Sequence, residues 1–468
     1  MQKRKKIPVS QSRAVFYRAV LWYNKKKYDT ESDVRRMHAM RTLALAAKEA
    51  AIPLAALPHA RRNAALLAIA ERLAQAAADI FAANEADVAD AQAEGLAAPL
   101  VKRLRFDAAK LDEVRAGLCA LAALPDPIGQ TQRATELAEG LTLYRVACPI
   151  GVVGIIFESR PDALVQIASL CLKSGNAVLL KGGREAARTN RVLFDALDAA
   201  ARGAGVPEGW AGLLETREEV SAMLALDDCI DLIIPRGSNE FVRFIMEHSR
   251  IPVLGHADGL CAVYVDSAAQ VDMAVRVAVD SKAQYVAVCN AAETLLVHRA
   301  IAPRFLPPLA EAMRAAGVSL RGCARTQALV PCQPALSQDW DTEYLDYTLA
   351  VRVVDSLAEA VAHINAHGSG HTDAIVTDDP EAARAFLALV DSAGVYHNCS
   401  TRFADGFRYG LGAEVGVATG KVHARGPMGL EGLCTYKYKL LGAGHVVADF
   451  ARGDAQYTHR SLAQDCPI

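Results

Sequence analysis

Cys289 is the residue whose chemistry first asks for an explanation. It sits in QYVAVCNAAETLLVH (284–298), a loop-like stretch just before a strand, flanked by Asn290 and small residues. A thiolate in such a loop is a nucleophile towards carbonyl carbon, although by spacing alone a small buried core cysteine accounts for it better. Two glycine junctions offer a different chemistry. GGREAARTN (182–190) and PRGSN (235–239) each follow an apolar strand and open a helix. Glycine lets backbone approach a ligand, and the free N–H groups of a helix start favour phosphate. Neither is a GxGxxG fingerprint, and one alone reads as an ordinary tight turn. Two at the strand ends of one sheet strengthen the case for a nucleotide site, because ligands collect there. HGSGHTDAIV (367–376) and HNCSTRFADGFRYGLGAEVG (397–416) hold more polar residues and glycine than packing needs; solvated loops are the plain alternative.

The elements that must position these residues alternate between helix and strand. From about 41 to 125 the chain reads as helix, with Ala64, Leu67, Ala68, Leu73 and Ala77 at helical spacing and Asp107 as an N-cap. LTLYRV alternates as a strand after a turn at Gly140. GVVGIIF (151–157), DALVQIASLCLKSG (162–175) and NAVLLKGG (176–183) then form a strand–helix–strand crossover. The pattern continues through GWAGLLE, CIDLIIPRG, IPVLG and CAVYVD as strands, and a second α/β block is expected from near 270. An α/β class with open parallel sheets follows.

At 468 residues the chain is long enough for two or three domains of ~100–200 residues. A net charge of -2 offers no basic surface for nucleic acid or an anionic membrane. No apolar run reaches the ~18 residues of a membrane span. The eleven cysteines are scattered without CxxC pairs, so neither a disulfide scaffold nor a clustered metal site is expected. Residues 1–36 carry eleven Lys/Arg against three acids. This basic tail, 1–39, reads as sequence upstream of a start at Met37 or Met40, or else as a disordered arm; Arg18 interrupts its apolar stretch, which weakens a signal-peptide reading.

CPIGVVGIIFESRPDA, SGNAVLLKGG, CNAAETLLVH, GSGHTDAIVT, STRFADGFRYGLGAEVG and HARGPMGLEGL together resemble the glutamate-5-semialdehyde dehydrogenases (gamma-glutamyl phosphate reductases), a branch of the aldehyde dehydrogenase superfamily. The resemblance runs from about residue 40 to about 450. It implies an aldehyde dehydrogenase-like α/β fold: two doubly wound α/β domains plus a small bridging β element. By that similarity residues 40–130 and 149–269 form the NADP-binding domain and 270–430 the catalytic domain. Residues 131–148 and 431–450 form the bridging element used in oligomerisation.

The same resemblance implies NADPH-dependent reduction of L-glutamyl 5-phosphate to L-glutamate 5-semialdehyde, the second step of proline biosynthesis, in the cytoplasm. Cys289 would attack the acyl phosphate, with its thiol pKa locally depressed. Lys181 matches the superfamily lysine at the adenosine ribose. Arg184 stands where many NAD-preferring relatives place a glutamate, and suits the 2′-phosphate of NADP. Gly237 and Ser238 match the Gly-Ser near the pyrophosphate, and Glu343 resembles the glutamate at the nicotinamide ribose. Arg160, Ser400, Thr401 and Arg402 are candidates for binding the substrate's carboxylate and ammonium; a structural salt bridge is the alternative for each arginine.

Hydrolytic superfamily members carry a glutamate base where this chain reads VLGHADG (253–259), with Gly255 near the equivalent place and Asp258 close by. A homo-oligomer and an association with glutamate 5-kinase are also implied. Two other functions compete: an acylating dehydrogenase using a CoA thioester, and a catalytically silent, binding or scaffolding member. The first differs by releasing a thiol in place of phosphate; Cys289, Lys181 and Glu343 argue against the second.

Overall fold

The computed structural model describes residues 31–468 apart from Ala97, Ser159, Ser238 and Ala257, and leaves aside the side chains of residues 31–36, Pro99 and Arg217. Most of the basic tail lies outside the described residues. From Glu31 the chain is already helical (Glu31–Ala56), so residues 31–39 are the first turns of a helix and not a disordered arm. Met40 and Ala44 of this helix lie in one buried cluster with Val152, Leu179 and Ile233.

Helices His59–Gln75, Ala77–Ala93, Ala98–Leu104 and Ala108–Ala123 follow. Leu66, Ile69 and Leu73 recur every three or four residues and bury one face against Leu111, Val114 and Leu118 of the last of them. Each such leucine or isoleucine contributes about 1.5–3 kcal/mol on burial. Asp107 caps that last helix as expected, its carboxylate accepting from Lys110 N at 2.9 Å.

Strands β1 (Thr131–Ala138) and β2 (Leu141–Pro149) pair antiparallel across a turn in which Gly140 takes φ 73°. The first parallel sheet contains β3 (Val152–Ile156), β4 (Ala177–Lys181), β5 (Ala211–Leu214) and β6 (Leu232–Pro235), in the order β5-β4-β3-β6. Helices Pro161–Lys173 and Ala187–Gly203 make its first two crossovers. Every residue of β3, β4 and β6 is buried, which is why these strands read as unbroken apolar runs. IPVLG forms no strand of its own; it reduces to a single bridge between Ile233 and Val253.

The second sheet comprises β7 (Cys261–Val265), β8 (Ala292–His298), β9 (Ser319–Gly322), β10 (Gln333–Pro334), β11 (Thr348–Val354), β12 (Thr372–Val376) and β13 (Gly394–His397). All seven strands run parallel in the order β10-β9-β11-β8-β7-β12-β13. The boundary expected after residue 269 therefore falls earlier, before Cys261, because CAVYV is a central strand of this second sheet between β8 and β12. A short ribbon, β14 (Gly416–Ala418) with β15 (Gly426–Met428), precedes β16 (Cys434–Leu441). β16 pairs with β2, and β17 (Arg460–Leu462) pairs with β1, completing an antiparallel sheet ordered β16-β2-β1-β17. The chain's last segment, beyond the expected bridging element, thus supplies that sheet's fourth strand. Among the described residues no helix is long and apolar enough to cross a membrane.

Candidate active site

The site lies where the carboxyl ends of the first sheet face the amino ends of the second. On the first side, Lys181 closes β4 and Gly237 follows β6. On the second, Gly259, Cys289 and His371 each stand just before a strand, and those strands (β7, β8 and β12) are neighbours. Adjacent parallel strands deliver their preceding loops to one place, so residues far apart in sequence meet.

Cys289 keeps some surface exposed but is crowded by protein. Its carbonyl accepts from the Cys261 thiol at 3.2 Å. Burial is the main reason its own thiol is pushed up, to about 12, and the carboxylates of Glu343 and Glu414 add to it, while Arg402 works the other way. The expected depression is therefore reversed: a desolvated thiol between two carboxylates resists ionising.

Glu343 ties the two sides together. One oxygen accepts from the Gly259 N–H at 3.0 Å, and the other from Asn239 Nδ2 at 2.5 Å, at the start of the helix after β6. Asp258 is bonded to Arg243 at 2.6 Å and to Asn239 at 3.1 Å, so the carboxylate nearest the missing hydrolytic base is already engaged.

The Ser400–Arg402 segment is drawn against the cysteine loop. Thr401 Oγ1 donates to the Asn290 carbonyl at 2.8 Å, and Asn290 Nδ2 donates to Ala404 O at 2.8 Å. Ser400 Oγ lies 3.2 Å from Ser281 Oγ, and Arg402 Nε donates to Gln284 at 2.9 Å. Ser400 and Thr401 are fully engaged in holding this turn; Arg402 is the member whose charge reaches Cys289. Arg160 instead makes a salt bridge to Asp162 at 2.7 Å, at the start of helix Pro161–Lys173.

Around the first sheet, Lys181 is buried with its amino group on the Gly182 carbonyl. Arg184 is exposed and paired with Glu94 at 2.8 Å, on the rim of a cleft of about 300 Å³ that Asp87, Asp90 and Arg188 also line. Gly237 packs close to Glu158: a Cβ there would stand 2.9 Å from its carboxyl carbon. Ser238 lies outside the described residues.

Three further side chains belong to the site without having been assigned roles. His256 and His371 each bring a ring nitrogen within 4.8 Å of the Cys289 sulfur and of one another. Arg236, just after β6, comes within 3.5 Å of the Glu414 carbonyl, and its guanidinium senses Cys289. All three stood inside motifs already noted (VLGHADG, GSGHTDAIVT and PRGSN), but only the strand order brings the two histidines together.

The aldehyde dehydrogenase family model matches residues 23–325. The gamma-glutamyl phosphate reductase of Acetivibrio thermocellus is 57% identical over 426 residues, 91% of this chain and 99% of the relative. The chain belongs to the aldehyde dehydrogenase family, in its gamma-glutamyl phosphate reductase branch. Another member of that branch, gamma-glutamyl phosphate reductase 1 of Synechocystis, is 54% identical over 91% of this chain and 99% of its own length. The crystal structure of the Thermotoga maritima gamma-glutamyl phosphate reductase superposes with a TM-score of 0.85 at 39% identity, covering 87% of this chain and 99% of that one. The aldehyde dehydrogenase fold also extends to an acetylating aldehyde dehydrogenase from Geobacillus thermoglucosidasius, at a TM-score of 0.58 and 16% identity over 89% of this chain and 99% of that one.

Proposed function

We propose that this chain reduces L-glutamyl 5-phosphate to L-glutamate 5-semialdehyde with NADPH, releasing phosphate, as the second step of proline biosynthesis from glutamate. The observation that carries the reading is the seat of Cys289, between Glu343 on the cofactor side and Arg402 on the other. The identity to reductases of that name supplies the substrate.

The Cys289 thiolate attacks the acyl carbon, the bond to the phosphate oxygen breaks, and phosphate leaves with the electron pair. NADPH, when bound, supplies the hydride that reduces the resulting thioester. The thiohemiacetal then collapses, its C–S bond breaks, and the thiolate returns. A thiol held at about 12 makes little thiolate at neutral pH, so the cationic side chains Arg402 and Arg236 favour the attacking form. Asp258, the carboxylate close in sequence to the place of the hydrolytic base, is held by Arg243 and so is poorly placed to activate water against the thioester.

The residues present fit a phosphorylated dinucleotide. Lys181 and Glu343 would hold the two riboses, and the Gly237–Ser238 junction would let backbone approach the pyrophosphate. Arg184 would exchange its exposed Glu94 partner for the 2′-phosphate. Arg160 and Arg402, with Ser400 and Thr401 shaping the loop, bind the substrate's charged end. All eleven cysteines are free thiols, which suits a reducing cytoplasm. The antiparallel sheet β16-β2-β1-β17 serves a homo-oligomer, and a labile acyl phosphate favours association with the glutamate 5-kinase that makes it.

The test is the reverse reaction. Enzyme, glutamate semialdehyde, phosphate and NADP⁺ should generate NADPH absorbance only when phosphate is present, with NAD⁺ much poorer. Turnover without phosphate would make the chain a hydrolytic dehydrogenase and sink the reading.

A further inference from the structure

We propose that His256, Cys289 and His371 form a three-ligand site for a soft divalent cation, Zn²⁺ above all, whose binding locks the thiol away from substrate. The metal binding stands on the geometry alone; the consequence for turnover rests on Cys289 being the nucleophile.

Two imidazoles and a thiolate are the donor set that Zn²⁺ prefers. One nitrogen of each ring and the sulfur lie within 4.8 Å of one another. Zn–N and Zn–S bonds of about 2.0–2.3 Å place tetrahedral ligand atoms roughly 3.3–3.8 Å apart. Closing the remaining distance takes small side-chain rotations. The fourth position is left to water.

Both rings are already oriented as ligands. His256 Nδ1 lies 2.9 Å from the carbonyl of Val417, an acceptor only, so Nδ1 carries the proton and Nε2 holds the lone pair. Donation of the second ring N–H to a backbone carbonyl is the usual way a protein fixes a metal-binding histidine. His371 is 1% exposed, its Nδ1 lies 2.9 Å from Thr372 Oγ1, and its Nε2 has no hydrogen-bond partner. A buried ring nitrogen without a partner is costly, and a cation satisfies it. The two rings meet edge to face, with centroids 5.1 Å apart.

In the binding step the S–H bond breaks, its proton leaves to solvent, and a sulfur–metal bond forms; nothing is oxidised or reduced. A bound metal ion is itself the largest local charge in such a site and stabilises the coordinated thiolate.

The experiment uses the full chain, reduced and freed of metal, titrated first with Co²⁺ alone and then with Zn²⁺. A thiolate-to-cobalt charge-transfer band should grow to one Co²⁺ per chain and discharge on adding Zn²⁺. Zn²⁺ should slow alkylation of Cys289 by iodoacetamide about tenfold or more, mapped by mass spectrometry, while the exposed Cys119 reacts at an unchanged rate. His256→Gln and His371→Gln, folded by near-UV circular dichroism, should each bind about a hundredfold more weakly. No charge-transfer band, or Zn²⁺ that leaves Cys289 alkylation unchanged, would overturn the site, and the alkylation measurement needs no variant. A band that survives in both histidine variants would place the metal on other cysteines and overturn it equally. A Cys289-dependent band in a protein with no reductase turnover would leave the site standing and refute the proposed function instead.

Discussion

Gly259 and Cys289 meet backbone to backbone: a Cβ built on Gly259 would stand 2.6 Å from the Cys289 Cβ and nearer still to its Cα and carbonyl oxygen. None of these atoms is the free end of a flexible side chain, so the Cys289 loop can occupy its place only while residue 259 lacks a side chain. The same glycine donates its N–H to Glu343 at 3.0 Å, whose other oxygen accepts from Asn239, which couples the loop to the helix after β6. Gly259→Ala should displace Cys289 by enough to cost about a hundredfold in kcat. Steady-state kinetics beside a thermal melt would check this: full activity in a folded variant would contradict the close approach.

Glu343 bears on the thiol as well as on Gly259. Its carboxylate is the second cause, after burial, of a Cys289 pKa near 12. The sign follows directly: removing a negative charge favours the thiolate, so Glu343→Gln should speed alkylation of Cys289 at fixed pH. One pKa unit is tenfold in thiolate, and a change of about three- to tenfold is expected. In the unmodified chain the alkylation rate should climb about tenfold per pH unit from 7 to 10 without levelling; a plateau below pH 9 would refute the raised pKa.

How far this site was legible depends on how local each signal is. β3, β4 and β6 could be read from sequence because strands buried on both faces need unbroken apolar runs. The membership of β7 could not: CAVYV looks the same whichever sheet it enters, and only its pairing with β8 and β12 decides. IPVLG failed for a related reason, since a short apolar run leaves open whether a ladder forms. The raised pKa of Cys289 was hidden because Glu343 and Glu414 reach it through the fold, not along the chain. Nothing local marks His256 and His371 either, because their meeting is set by strand order. Arg160 is the opposite case: its partner, Asp162, stands two residues away, so the structural salt bridge was the nearer reading.

Arg184 carries the cofactor preference in this reading. Its guanidinium is exposed and bonded to Glu94, a pair worth little by itself in water. Arg184→Ala should therefore leave the melting temperature nearly unchanged. A charged hydrogen bond to a 2′-phosphate is worth about 1.5–3 kcal/mol, so the KM for NADPH should rise about ten- to a hundredfold while that for NADH stays put. An unchanged NADPH:NADH ratio would move the phosphate contact to another residue, Arg188 being the neighbour to try next.

Lys282 and Glu293 form an ion pair at 2.5 Å with side chains 0% and 1% exposed, and Glu293 also contacts the turn that carries Glu343. The second Glu293 oxygen accepts from the Leu345 N–H at 3.2 Å. Leu345 holds φ at 54°, a left-handed conformation that a leucine adopts only under constraint, two residues from Glu343. Glu293→Gln leaves a buried ammonium without its counter-charge and should cost about 3–5 kcal/mol, read as a fall in the urea midpoint. Replacing both partners by apolar residues, Lys282→Met with Glu293→Leu, removes the unpaired charge and should recover most of that stability. It cannot restore the acceptor for Leu345, so the turn carrying Glu343 should remain loose and the KM for NADPH raised. If the double variant regains stability and cofactor affinity together, the pair serves the core alone; a stable protein with weakened NADPH binding shows that it positions Glu343.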